Sequence, residues 1–137
     1  MSAAAILAIT AGLMLYYVFT AWRRNLAELR EQEDAAVTIY TLVRNVRGAK
    51  AVAAELLPTV LQTTNAAGIA ARFYVDANTE RLYHMPNVAD PAQVVRVSDL
   101  PVADFAATPT DDGVEVSLTL RGRERTVAKR AFIHLRN

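Results

Sequence analysis

The chain has 137 residues, which leaves room for one compact domain of roughly 100 residues beside a membrane segment. Its 15 basic and 14 acidic residues give a formal charge of +1, so no excess of charge points to nucleic acid or to an acidic substrate. Cysteine is absent, and this excludes disulfide bonds, thiolate metal sites and cysteine nucleophiles.

The first predicted element is a transmembrane helix over residues 1–22. Residues 2–22 carry no charge, and Arg23 and Arg24 end the apolar run. As a helix, this run is about 31 Å long at roughly 1.5 Å per residue, which matches a hydrocarbon core of about 30 Å. A cleaved secretory signal is less favoured because the run lacks a basic start and exceeds a typical signal core. A buried core helix is less favoured because so small a domain could not cover it on all sides.

Two groups of residues follow from this prediction. Apolar side chains should face lipid or neighbouring helices, and amphipathic rings and cations should mark the membrane boundary. The predicted membrane and bundle residues are Ala3, Ile6, Leu7, Ile9, Leu13, Leu15, Val18 and Phe19. The predicted interface residues are Tyr16, Tyr17, Trp22, Arg23 and Arg24.

Residues 23–57 are predicted to continue the same helix as an amphipathic rod. Apolar residues recur there at helical spacing, and the first strong helix breaker is Pro58. The whole helix would be about 84 Å long at roughly 1.5 Å per residue. The acidic residues Glu31, Glu33 and Asp34 are interpreted as solvated surface spread over different helix faces.

Residues 58–137 are predicted to form an antiparallel β-sheet head. The apolar period changes from about 3.6 to about 2, with turn residues between short segments. The clearest strand begins at Val114, where apolar and polar residues alternate, as expected for a sheet with one buried face. The predicted strands are 68–76, 80–85, 94–98, 102–107, 114–121 and 125–135.

The combined prediction is an α+β fold in which a small antiparallel sheet packs against the amphipathic half of a long N-terminal helix. A sheet with one apolar face needs a cover, and the apolar stripe of that helix is the element available. The predicted helix-to-sheet packing residues are Ile39, Val43, Val46, Val116, Leu118 and Ile133.

No constellation for catalysis or metal binding can be read. His84 and His134 are the two histidines, and neither lies in a zinc motif, so both are interpreted as strand-surface residues. The serines, Ser2, Ser98 and Ser117, lie in no hydrolase motif. The triplet at residues 111–113, Asp-Asp-Gly, is interpreted as a turn because the other ligand positions of a calcium loop are missing. We therefore predict no catalytic, cofactor-binding or metal-ligating residue and no small-molecule substrate.

The last predicted hairpin carries a basic cluster. Aromatic residues are not interleaved with it as in single-strand nucleic-acid grooves, so it is interpreted as a solvated edge strand protected by charge, without a nucleic-acid partner. Phe132, on the outer face of the same strand, is a candidate subunit contact. The basic residues are Arg121, Arg123, Arg125, Lys129 and Arg130.

The layout and three local segments resemble the type IV pilins and the type II secretion pseudopilins. Residues 40–47 (YTLVRNVR) resemble the end of the long helix in minor pseudopilins of the J and W types. Residues 73–76 (FYVD) with 81–83 (RLY) are similar to a strand pair of that family, and residues 131–137 (AFIHLRN) to its last strand.

The resemblance implies a structural subunit without cofactor that acts by helix bundling and head-to-head contacts. Its partners would be the lipid bilayer and other pilin-like subunits. It would lie in the cytoplasmic membrane, single-pass with the head outside, or in a pilus or pseudopilus. The family also has a prepilin cleavage site and a glutamate at the fifth mature position. Here position 5 is Ala5 and no such site can be read.

The charges after the membrane segment support an alternative. Arg23, Arg24 and Arg30 favour a cytoplasmic location for the flank they occupy. The protein would then be a bitopic scaffold or adaptor with a cytoplasmic α+β domain. A membrane-tethered enzyme, the third class, has no supporting set of residues.

Overall fold

The computed structural model describes residues 2–53 and 59–135. Its elements form an α+β fold, as the sequence predicts, with one long N-terminal helix followed by short antiparallel strands. In chain order they are α1 (Ala3–Arg47), β1 (Ala51–Val52), β2 (Leu61–Thr64), β3 (Ala70–Val75), β4 (Leu82–Met85), β5 (Val95–Arg96), β6 (Val102–Pro109), β7 (Gly113–Arg121) and β8 (Thr126–His134).

The helix α1 runs unbroken from the apolar half into the amphipathic half. Ser2 caps its N-terminus, because its side-chain oxygen accepts a hydrogen bond from the backbone N–H of Ala5 at 3.3 Å. The helix ends at Arg47 and Gly48, well short of the predicted end at residue 57. Beyond Gly48 the backbone joins the sheet: the N–H of Lys50 donates to the carbonyl of Thr64 at 2.7 Å. The predicted terminator, Pro58, lies outside the described residues.

The strands form two antiparallel sheets where the sequence predicts one. The first sheet has the order β1-β2-β3-β4-β5, and the second has the order β6-β7-β8. The chain changes sheet at residues 97–101, where the buried Ser98 hydroxyl accepts from the N–H of Leu82 and donates to the carbonyl of Leu100, both at 3.0 Å. The two hairpins expected from the sequence are present as β3–β4 and β7–β8.

The core lies where α1 meets both sheets. Helix residues Ala35, Thr38, Leu42 and Val46 are buried at three- and four-residue spacing, which places them on one face. The first sheet contributes residues such as Phe73, and the second contributes the inward side chains of β7. Of the predicted packing residues, Val46, Val116, Leu118 and Ile133 are buried in this cluster, and Ile39 and Val43 are partly buried against it.

Leu42 and Leu29 give a matched test of this packing, because both lie in α1 but are 0% and 65% exposed. We expect Leu42→Ala to lower the free energy of unfolding by roughly 3 kcal/mol, since it removes buried methyl groups and leaves a cavity. Leu29→Ala should change it by less than about 0.5 kcal/mol. Urea unfolding of the full chain in detergent micelles, followed by circular dichroism, measures both. Equal losses would contradict the burial of Leu42 in the core.

Candidate membrane and subunit interface

The N-terminal half of α1 has no protein cover. It contains the one candidate membrane span in the described residues, with a mean hydropathy of 1.9 over 18 residues and none of that window buried. All eight predicted membrane and bundle residues are exposed, Ala3 and Phe19 included. An apolar helix that is uncovered on every side needs an apolar solvent, and a bilayer provides one. A signal sequence near an N-terminus meets the same criterion of length and composition.

Aromatic and basic side chains gather where the apolar half ends. The rings of Phe19 and Trp22 lie 6.0 Å apart, and the guanidinium of Arg23 lies 5.6 Å from the centre of the Phe19 ring. Tyr16 and Tyr17 meet edge to face with ring centres 6.0 Å apart. These residues are exposed, as a boundary between hydrocarbon and water requires.

Immediately beyond this boundary, three acidic residues of α1 hold the head. Glu28, Glu31 and Asp34 are three residues apart and lie on one side of the helix; we refer to them as the carboxylate row. Glu28 pairs with the guanidinium of Arg125 at 2.6 Å. The other two accept hydrogen bonds from backbone N–H groups of the head. The carboxylate row is therefore a line of contact between helix and head.

Glu31 and Asp34 bind main-chain donors, which makes these contacts independent of the side chains on the head. Glu31 Oε1 accepts from the N–H of Arg123 at 2.7 Å. The two carboxylate oxygens of Asp34 accept from the N–H groups of Asp99 at 3.1 Å and Leu100 at 3.0 Å. The interpretation of Glu31 and Asp34 as solvated surface was wrong, because their three-residue spacing places them on the same side of the helix. That spacing is the sequence signal that could have predicted their shared contact with the head.

The tip of the β7–β8 hairpin, residues 122–125, is the part of the head nearest the membrane boundary along α1. Arg24 pairs with Glu124 at 2.5 Å, next to the contact of Arg123 with Glu31. A Cβ at position 122 would meet the Glu31 carboxylate and the backbone carbonyl of Arg125. Glycine at this position therefore allows the hairpin to approach the helix closely.

Two further basic residues of this hairpin form ion pairs with acidic residues. Arg121 pairs with Glu80 at 3.0 Å and Arg130 with Glu115 at 3.3 Å. Strand β8 is at the edge of its sheet, as predicted. The interpretation of the cluster as solvated holds only in part, because residues 123 and 125 contact α1. Phe132 is 45% exposed on the outer face.

His84 faces inward, contrary to the prediction of a strand-surface histidine. Its ring stacks on Phe73 with centres 4.4 Å apart, and it lines a cavity of about 250 Å³ between the C-terminal end of α1 and the first sheet. Side chains two residues apart in a strand lie on the same face, so His84 lies on the same inner face as the buried Leu82. This alternation could have predicted its position. Burial lowers the pKa of His84 below its usual value of 6.5.

The described residues, 2–53 and 59–135, contain no group of three or more His, Cys, Asp or Glu side chains placed to hold a metal ion. The triplet at residues 111–113 forms part of the β6–β7 turn, where the N–H of Thr110 donates to the carbonyl of Gly113 at 2.9 Å.

No model of a known protein family, no characterised protein and no solved structure matches this chain. The geometry offers three surfaces for function: an uncovered apolar half of α1, a boundary of basic and aromatic side chains, and a head that contacts α1 just beyond that boundary.

The carboxylate row can be tested with Asp34→Asn, for which Glu33→Gln is a matched control on the exposed side of α1. We expect Asp34→Asn to lower the free energy of unfolding by about 1–3 kcal/mol, because an amide offers one acceptor where two N–H groups need one each. Glu33→Gln should cost less than about 0.5 kcal/mol. Hydrogen exchange of the Asp99 and Leu100 amides should accelerate in the Asp34 variant alone. Unchanged exchange would mean that these bonds do not hold the head.

The lowered pKa of His84 predicts a loss of stability in acid. The unfolded chain binds a proton near pH 6.5 while the folded chain resists it, so stability falls as the pH drops below that value. We expect His84→Gln to flatten the decline between about pH 7 and pH 5, where carboxylates contribute little. The matched control, His134→Gln on the exposed end of β8, should show the same decline of stability as the wild type. Urea unfolding at a series of pH values measures the slopes, and parallel slopes for wild type and His84→Gln would refute the prediction.

Proposed function

We propose that this protein is a structural subunit of a membrane-anchored filament or secretion assembly, of the minor pilin-like or pseudopilin-like type. The observation that carries the proposal is the form of α1. Its apolar half is uncovered, and the same helix continues without a break into the half that packs on an antiparallel head. Such a helix can bundle with others inside a membrane while its head remains in water.

The apolar half has features suited to helix bundling. The hydroxyls of Thr10 and Thr20 donate to the carbonyls of Ile6 and Tyr16, each at 2.8 Å, so these polar groups are satisfied without water. A Cβ at Gly12 would meet nothing within 4 Å, so this position offers a flat surface for a neighbouring helix. In this mechanism the residues from Ala3 to Phe19 supply lateral packing.

The head would supply contacts to neighbouring subunits. The carboxylate row and the core fix its orientation relative to α1, so a pull on the helix is transmitted to the head. The irregular segment over residues 85–100 is the proposed contact surface, and the exposed Val95 lies in it. The role is non-enzymatic and needs no cofactor. Its partners are the bilayer and other pilin-like subunits, with the head on the extracytoplasmic side of the cytoplasmic membrane.

The second candidate is a bitopic scaffold with a cytoplasmic head. The observation that favours it is the placement of Arg23, Arg24 and Arg30 directly after the apolar half. An exposed stripe of α1 that includes Leu29, Val37 and Tyr40 would serve as its partner surface. The two candidates differ in the side of the membrane on which the head lies.

Single-cysteine variants separate the candidates, because the chain has no cysteine of its own. Ala66→Cys places a thiol on the exposed β2–β3 turn, and Leu7→Cys and Leu13→Cys place one inside the apolar half. We expect the thiol at position 66 to react with a membrane-impermeant maleimide in intact cells. We expect the two apolar positions to form oxidative disulfide cross-links in isolated membranes with a pilin-like neighbour that carries an introduced cysteine at the same depth of its own helix, because those helices pack laterally.

The controls and contrary outcomes are specific. A cytoplasmic marker protein should label only after lysis, and deletion of residues 3–19 should remove the protein from the assembly. Labelling of position 66 only after lysis would exclude the extracytoplasmic subunit and favour the scaffold. External labelling without any intramembrane cross-link, or retention of the deletion variant, would reject the bundling mechanism.

A further inference from the structure

A groove of about 910 Å³ lies between α1 and the tip of the β7–β8 hairpin; we refer to it as the junction groove. The hairpin tip contacts α1 between Arg24 and Glu31, which are roughly 3 to 14 Å beyond Trp22 at about 1.5 Å per residue. Its walls combine apolar residues from the end of the span with charged residues from helix and hairpin. With α1 inserted, the junction groove therefore opens at the level of the lipid headgroups.

The junction groove carries more positive than negative charge. Its lining has five arginines, Arg23, Arg24, Arg30, Arg123 and Arg125, and three glutamates, Glu28, Glu31 and Glu124. Two of the glutamates pair with Arg24 and Arg125. The third, Glu31, accepts from the backbone of residue 123. Within the described part of the chain, the guanidinium groups of Arg23, Arg30 and Arg123 make no ion pair.

These three arginines line the same groove. Arg23 and Arg30 are seven residues apart, so they lie on the same side of α1, and Arg123 belongs to the hairpin tip that faces them across the junction groove. Arg23 also rests over the ring of Phe19 at 5.6 Å. Guanidinium groups bind phosphate with paired hydrogen bonds, and their weak hydration suits a boundary between apolar and aqueous phases.

We propose that the junction groove binds the phosphate groups of anionic phospholipids and so docks the head on the membrane surface. The arginines would bind the phosphates, while Phe19, Trp22 and Leu26 contact the glycerol and upper acyl carbons. A soluble anion would meet the same arginines but would leave this apolar wall uncovered. The inference depends on membrane insertion of α1, and it is independent of filament assembly and of which side of the membrane the head occupies.

The test uses the full chain in nanodiscs with an environment-sensitive dye on Thr126→Cys, an exposed position beside the hairpin tip. The nanodiscs contain either phosphatidylcholine alone or phosphatidylcholine with roughly one-third phosphatidylglycerol. We expect anionic lipid to lower the acrylamide quenching constant of the dye by about twofold, because the docked hairpin becomes shielded, and salt to reverse the change. A dye on Ala66→Cys, in the β2–β3 turn at the other end of the head, should show no difference.

Charge-matched variants assign the effect to the junction groove. Arg30→Gln combined with Arg123→Gln should abolish the difference between lipids, whereas Arg44→Gln combined with Arg47→Gln, on the exposed last turn of α1, should preserve it. Equal quenching at Thr126→Cys in both lipids would overturn the proposal, as would an equal loss in both double variants. Shielding in pure phosphatidylcholine on addition of free glycerol phosphate would also overturn it, by showing a site for soluble anions.

Discussion

The structure depends on one helix whose two halves need different surroundings. The first half of α1 offers apolar side chains on every face and is not buried by the rest of the protein, whereas the second half buries one face beneath two sheets. No break separates the halves from Ala3 to Arg47. The position of the head relative to the apolar half is therefore determined by how the head attaches to the second half.

That attachment combines burial and hydrogen bonding in different proportions along the helix. Near the C-terminal end of α1, Leu42 and Val46 are fully buried, and apolar contact dominates. Closer to the apolar half, burial gives way to the carboxylate row, which accepts backbone N–H groups from two separate loops of the head. Charge-assisted bonds of this kind are directional, so they fix the angle of the head where packing is thin.

The sequence predicts the elements that carry a strong local pattern and misses those that depend on tertiary contacts. The alternation in β7 and the uncharged run at the start of α1 could be read directly. The end of α1 could not be predicted, because apolar residues such as Val52 fit either a helix stripe or a strand. In the structure Val52 pairs with β2, so this segment is a strand. The change of sheet could not be predicted either, because the Ser98 hydroxyl at that point accepts from the N–H of Leu82, which is distant along the chain. His84 and Asp34 were misread because each was assigned without its neighbours at two- or three-residue spacing.

The two ion pairs at the hairpin tip orient the head more than they stabilise it. Both Arg24–Glu124 and Arg125–Glu28 involve side chains with substantial exposure, and such pairs in water contribute about 0–1 kcal/mol each. The glutamates of these pairs nevertheless matter for the electrostatics of the junction groove, since Glu28 of α1 and Glu124 of the tip neutralise two of the arginines that line it. Among the arginines of the groove, Arg23, Arg30 and Arg123 are the ones that form no ion pair within the described residues. The same pairs thus contribute to the position of the hairpin on α1 and limit the positive part of the groove to the remaining arginines.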